Sequence, residues 1–262
     1  MSPSIGSNRL LEKWAGGETT FGLWCAIPSS VSAEGAATQD ADYVCVDQQH
    51  GAVDYSDAVT MFQAIDPWTT PITRVPWNDP ATIMKALDAG AKGVVVPLVS
   101  TPEDAKLAVS ACRYPPQGIR SFGPVRASVA LGSRDTADLD RVACIVMIET
   151  MEGLDSLDEI AAVPGLDAIY VGPADLALAM GLPPAYELPD AQHAEAIEAI
   201  RQACARNGIV AGIHCADGQM GARRIAEGFQ MVTVGNDLAL LKSGAGQQLS
   251  AARTPATAQQ KT

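Results

Sequence analysis

Five ionisable side chains stand where short apolar runs end: Asp47, His50, Arg74, Glu149 and Asp175. Asp47 closes Tyr43-Val44-Cys45-Val46, and His50 follows three residues later in Asp47-Gln48-Gln49-His50-Gly51. Arg74 ends Pro71-Ile72-Thr73 and leads into Val75-Pro76. Glu149 follows Val146-Met147-Ile148, and Asp175 follows Tyr170-Val171 through Gly172-Pro173-Ala174. A carboxylate set against apolar strand residues is costly unless a partner neutralises it. Glu149 and Asp175 end successive runs, and such a pair asks for a divalent cation. Two oxygen ligands completed by water suit a hard octahedral ion, Mg²⁺ or Mn²⁺. Arg74 offers a fixed positive charge where negative charge would develop in a reaction. Imidazoles titrate near neutrality, so His50 is the candidate proton carrier, with Asp47 placed to orient its ring. His214 follows a further apolar run and is a candidate for the pocket wall. His193 opens a polar helix and is expected to face solvent.

The elements that would gather these residues are visible in the pattern. Eight apolar, β-branched runs recur: 20–27, 43–47, 71–75, 93–97, 144–149, 168–171, 209–213 and 231–234. Runs this apolar are expected of parallel strands covered on both faces. Helical stretches lie between them. Residues 79–89 open with Asp-Pro, a cap followed by a first-turn proline. Residues 101–112 open Thr-Pro-Glu-Asp, with acidic groups where a helix N-terminus favours them. Residues 191–207 are amphipathic and end at Gly208. Eight βα units in 262 residues fit one α/β domain, a (β/α)8 TIM barrel, whose usual size is ~250 residues. The barrel is expected over 1–246, with a polar, flexible tail over 247–262. A doubly wound open sheet is the competing arrangement. No G-x-G-x-x-G follows any run, which speaks against a dinucleotide site. In a barrel, active sites gather at the C-terminal ends of the strands, where the five residues fall. Residues 113–141 are long for a connection between a strand and a helix, and are expected to be functional or to form an interface.

Composition narrows the functional classes. At 47% hydrophobic and 18% charged residues, the chain can bury a core, and disorder is excluded for most of it. Aromatic residues are only 5%, too few for an extended base-stacking surface. Thirty acidic against 18 basic residues leave a net charge of −12, which argues against nucleic acid or an anionic membrane as partner. The longest apolar stretch, around 93–99, falls far short of the ~20 residues of a membrane span, and the N-terminus does not read as a signal peptide. Cysteines 25, 45, 112, 144, 204 and 215 form no C-x-x-C pair. They read as buried thiols of a cytoplasmic protein.

Taken in order, the motifs resemble the HpcH/HpaI aldolase family of metal-dependent, class II pyruvate aldolases. The matching pieces are Phe21-Gly22-Leu23-Trp24, Asp47-x-x-His50-Gly51, Arg74-Val75-Pro76-Trp77-Asn78-Asp79, Leu87-Asp88-Ala89-Gly90-Ala91 and Val96-Pro97. Gly118-Ile119-Arg120-Ser121, Ile148-Glu149-Thr150 and Gly172-Pro173-Ala174-Asp175-Leu176 continue the series. The resemblance implies a barrel in a homo-oligomer, a hexamer built as a trimer of dimers with an exchanged terminal helix. It implies Glu149 and Asp175 as ligands of Mg²⁺ or Mn²⁺, with Co²⁺ and Zn²⁺ as alternatives. His50 would be the base, with Asp88 and Asp47 raising its basicity or holding its tautomer. Arg74 would stabilise an enolate oxygen. Met147, Gly172, Pro173, Ala174 and Asp175 would bind the substrate, the backbone N–H groups near Ala174 and Asp175 receiving its carboxylate. Two positions depart from the pattern: Met147 stands where the family commonly has glutamine, and Gln49 where it commonly has glutamate.

The implied reaction is reversible cleavage of a 4-hydroxy-2-oxo acid to pyruvate, or a related 2-oxo acid such as hydroxypyruvate, and an aldehyde. The same enolate site would serve a decarboxylase or lyase of oxaloacetate-like 2-oxo diacids, the nearest alternative. A Schiff-base aldolase needs a lysine at a strand end. Lysines 13, 85, 92, 106, 242 and 261 end no run, and Lys92 precedes one. A non-catalytic scaffold barrel would have no need of the ionisable set.

Overall fold

A computed structural model of the chain describes residues 7–253. The eight apolar runs form strands β1 (Thr20–Cys25), β2 (Tyr43–Asp47), β3 (Thr70–Arg74), β4 (Gly93–Val96), β5 (Ala143–Ile148), β6 (Ala168–Val171), β7 (Val210–His214) and β8 (Met231–Asn236). They pair in parallel and in chain order, and β1 also pairs with β8, so the sheet closes into a barrel. The open-sheet alternative is thereby excluded.

Side-chain alternation sorts each strand into two faces. Tyr43, Cys45, Ile72, Val95, Ile145, Met147, Tyr170 and Met231 pack together inside the barrel. Val44, Val46, Val94, Val96, Val146, Ile148, Ile169 and Val232 pack outward among the helices. Both faces are dry, which is why the strands read as continuous apolar runs. The interior parity continues past the apolar part of each strand. Two residues beyond Cys45 is Asp47, beyond Ile72 is Arg74, beyond Met147 is Glu149, beyond Tyr170 is Gly172, and beyond Gly212 is His214. The two interior tyrosines need room. A Cβ on Gly22 would lie 2.1 Å from the Tyr43 ring, and one on Gly212 would lie 2.7 Å from the Tyr170 ring.

The N-terminal end of the barrel is plugged by a helix, Arg9–Ala15, that the sequence pattern did not reveal. Leu10 and Trp14 join the interior cluster. The Trp14 indole donates to Thr20 Oγ1 at 3.0 Å, and the Asn8 amide donates to the carbonyls of Lys92 and Arg141. Burying a leucine side chain stabilises by about 1.5–3 kcal/mol. The expected helix ends are observed. Asp79 accepts from Thr82 N–H at 2.9 Å, Thr101 and Asp104 form a reciprocal capping box, and Gly208 ends Ala191–Asn207 with φ 66°. All six cysteines are buried and unpaired. Among the described residues no helix is long and apolar enough to cross a membrane.

Two expectations need correction. Residues 113–141 do not follow a strand: they join the end of helix Pro102–Cys112 to β5. That places them at the N-terminal end of the barrel, remote from their own mouth. They fold around buried Tyr114, Ala127, Leu131 and Leu139, and leave Ile119, Phe122, Val125 and Val129 exposed. The last helix, Asp237–Arg253, runs past the boundary expected at 246, with none of its residues buried. The remainder of the expected flexible tail, 254–262, lies outside the described residues.

Candidate active site

The C-terminal mouth of the barrel holds a cavity of about 370 Å³. Trp24, Asp47, His50, Arg74, Met147, Tyr186, His214, Asn236, Leu238 and the turn from Gly172 to Asp175 line it. No lysine is among these residues, which removes the Schiff-base alternative for this cavity.

Arg74 is the fixed positive charge of the site. The β2–β3 register sets Asp47 opposite Arg74. The guanidinium donates to Asp47 through Nε at 2.9 Å and Nη2 at 2.7 Å. Its Cζ also lies over a Trp24 ring, 4.5 Å from the ring centre. Both members of the ion pair are buried. Burial alone would raise the Asp47 carboxyl, but the bonds and charge of Arg74 outweigh it and hold the group below its ordinary value. Asp47 also accepts the backbone N–H groups of Gln49 and His50. The sequence reading made Asp47 a partner of the His50 ring. It instead holds Arg74 and the turn that carries His50, because Arg74 is its neighbour on the adjacent strand.

Glu149 lies near enough to Asp175 to feel its charge. Glu149 is 2% exposed. Its Oε1 accepts Leu98 N–H at 2.9 Å, while Oε2 is buried without a hydrogen-bond partner. Leu98 adopts a left-handed φ of 55° to aim that N–H, a conformation that costs a non-glycine residue on the order of 1 kcal/mol. Burial, then the charge of Asp175, push the Glu149 carboxyl up to about 7 against the opposing pull of Leu98 N–H and Arg74. A Cβ on Gly172 would fall 2.2 Å from Glu149 Oε2, so only glycine leaves the carboxylate its place. An unpartnered, buried oxygen beside a second carboxylate fits a cation. Among the described residues no group of three His, Cys, Asp or Glu converges. The pair therefore offers oxygen ligands and leaves the rest of a cation's coordination to water or substrate.

His50 lies exposed at the rim, and its ring bonds to none of the described residues. Asp88 does not reach it within one chain. Asp88 ends helix Pro80–Asp88, which returns antiparallel to β3 and so delivers its last residue to the opposite end of the barrel. There it pairs with buried Arg120 at 2.9 Å. Met147 is 2% exposed and packs against Gly172 as an apolar wall.

Four further residues shape the site. His193 is 1% exposed, not solvated as expected, and its Nε2 lies 2.9 Å from the Pro173 carbonyl. It sits where helix Ala191–Asn207 meets the turn that carries Asp175, a contact that helical periodicity alone does not show. His214 is in the wall, as the sequence reading offered. Trp24 and Tyr186 were missed as site residues. The interior parity of Gly22 and Trp24 could have identified Trp24, whereas Tyr186 comes from an irregular loop with no sequence signal.

Ionisable groups drawn from successive strands to this mouth place the chain among the (β/α)8 enzymes. Comparison with known proteins narrows the class. The family described as HpcH/HpaI aldolase/citrate lyase matches residues 20–243. A hydroxypyruvate/pyruvate aldolase of Rhizorhabdus wittichii is 38% identical over 94% of this chain and 99% of its own length. A 4-hydroxy-2-oxo-heptane-1,7-dioate aldolase of Klebsiella pneumoniae is 37% identical over 91% of each chain. The crystal structure of an HpcH/HpaI aldolase/citrate lyase family protein from Burkholderia cenocepacia superposes with a TM-score of 0.88 at 32% identity, covering 95% of this chain and 100% of that one. This chain belongs to the HpcH/HpaI aldolase/citrate lyase family, and its activity is that of an aldolase.

Proposed function

We propose that this aldolase uses a divalent cation, Mg²⁺ or Mn²⁺, held by Glu149 and Asp175, to make and break the bond between a 2-oxo acid and an aldehyde. The observation that carries this reading is the sealed, unpartnered oxygen of Glu149 beside Asp175, in space that Gly172 keeps open. When bound, the cation supplies Lewis acidity toward the keto oxygen of the substrate.

The protein's own residues do the rest. The N–H groups of Ala174 and Asp175 lie in the first turn of helix Pro173–Ala179. First-turn N–H groups have no intrahelical acceptor, and here they receive the substrate carboxylate. Arg74 stands by the oxygen on which enolate charge develops. Asp47 and Trp24 already hold its fork, so little reorganisation accompanies the charge. His50 takes a proton from C3 of the oxo acid and gives it to the alkoxide formed from the aldehyde oxygen. Cleavage of a 4-hydroxy-2-oxo acid runs the same transfers backward. Met147 offers the oxo acid an apolar surface in place of an amide. The names of the relatives support pyruvate or hydroxypyruvate as the oxo acid.

The working form is a homo-oligomer, a hexamer on the family's pattern. Exposed Leu238, Leu240, Leu241 and Leu249 on the last helix, with Ile119, Phe122, Val125 and Val129, supply apolar surface of the kind that marks interfaces. Six unpaired thiols suit a reducing cytoplasm. The deciding experiment is deuterium exchange at the pyruvate methyl group, followed by NMR after chelation and after adding back single metals. Exchange should stop with the chelator and return with Mg²⁺ or Mn²⁺. Exchange at an undiminished rate in the chelated enzyme refutes the metal reading.

A further inference from the structure

His214 stands in the cavity wall with no part in the chemistry above, yet its surroundings hold it closely. Trp24 meets it edge-on, with ring centres 5.0 Å apart and planes at 88°. Tyr186 stacks on it at 5.2 Å and 19°. Its Nδ1 lies 3.4 Å from the Tyr170 hydroxyl. Tyr170 is fully buried and donates its hydroxyl proton to Thr233 Oγ1, which also meets the Tyr43 hydroxyl at 2.9 Å. A phenol has one proton, so Tyr170 offers His214 only lone pairs, and Nδ1 must carry the hydrogen. The ring is then the Nδ1–H tautomer, with a lone pair on Nε2. Nε2 has no hydrogen-bond partner among the described residues. Burial and the Arg74 charge, against the opposing charge of Asp47, push the ring down to about 4. Near neutral pH it is a neutral acceptor and a weak base.

Resting on the aldolase reading above, we propose that His214 Nε2 accepts a hydrogen bond from a substrate hydroxyl, so that the site favours hydroxylated reactants over their deoxy counterparts. Two sources present that chemistry: the 3-hydroxyl of a 3-hydroxy-2-oxo acid, and a hydroxyl next to the aldehyde carbon. The neighbouring wall of Trp24, Tyr186 and Leu238 is largely apolar, and a hydroxyl held there without a partner would lose its water uncompensated. A carboxylate brings only lone pairs to Nε2 and gains nothing from it.

The test compares kcat/KM within two pairs, hydroxypyruvate against pyruvate and glycolaldehyde against acetaldehyde, in the wild type, His214→Phe and His214→Gln. The hydroxylated-to-deoxy ratio should fall about five- to tenfold in His214→Phe for one pair, the range carried by one neutral hydrogen bond. The pair in which it falls identifies the reactant. His214→Gln keeps an acceptor oxygen and should retain more of the ratio. Glutamine cannot take a proton, so equal losses in the two variants would point to a base role and overturn the proposal. If His214→Phe does not fold, His214→Leu carries the same comparison. Pyruvate methyl exchange is measured alongside. Ratios unchanged in both pairs while exchange persists overturn the assignment of His214 and leave the aldolase reading intact. Absence of exchange in the metal-loaded wild type overturns that reading, and the inference with it.

Discussion

Replacing Glu149 with glutamine should make the metal-free protein more stable at alkaline pH while removing its response to metal. The folded carboxyl is raised from its ordinary 4.5 to about 7 by burial and by Asp175. A group that binds its proton more tightly when folded stabilises the fold while protonated. Its contribution is therefore lost as pH rises from about 4.5 to about 7. The gap amounts to about 3 kcal/mol at pH 8, of which about 2–3 kcal/mol develops between pH 5 and pH 8. Glutamine has the shape of the protonated acid, can still accept Leu98 N–H, and does not titrate. Urea unfolding of chelator-treated wild type and Glu149→Gln should give similar stabilities at pH 5. At pH 8 the variant should lead by about 2 kcal/mol. Added Mg²⁺ or Mn²⁺ should raise only the wild-type midpoint, because binding to the folded state alone stabilises it. If the difference between the two proteins is the same at both pH values, Glu149 is not a buried, proton-holding carboxyl and the reasoning fails.

Four other outcomes follow from the same geometry. Arg74→Lys forfeits the two-pronged grip on Asp47 and the guanidinium contact over Trp24, so kcat should drop roughly 10²-fold with metal content unchanged; an unaltered kcat would make Arg74 structural. His50→Ala should slow pyruvate methyl exchange by about 10²- to 10⁴-fold without loss of bound metal, and wild-type exchange across pH 6–9 would remove His50 as the base. Gly172→Ala sets a methyl against Glu149 Oε2 and should weaken metal affinity by roughly 10- to 100-fold, read by titration calorimetry; unchanged affinity would show that the carboxylate does not need that space. Paired Leu241→Asp and Leu249→Asp changes should lower the solution mass in light scattering, and an unaltered mass would exclude the last helix from the interface.

Much of the fold was legible because parallel strands buried on both faces leave continuous apolar runs, and all eight were visible. The caps at Asp79 and Thr101 and the terminator Gly208 were equally plain, since their chemistry is local. The site was legible wherever strand parity reaches it: Asp47, Arg74, Glu149 and His214 continue interior positions, and Asp175 follows the next strand end. What tertiary structure decided was partnership. Asp47 and His50 are close in sequence, but the β2–β3 register gives Asp47 to Arg74. Asp88 belongs to the matching motifs, but its helix carries it to the far end of the barrel. His193 looks like a solvated helix residue until that helix packs over the Gly172–Asp175 turn. Periodicity tells which way a side chain faces. Which group it meets there depends on strand register and helix packing between distant segments, and neither is encoded in local pattern.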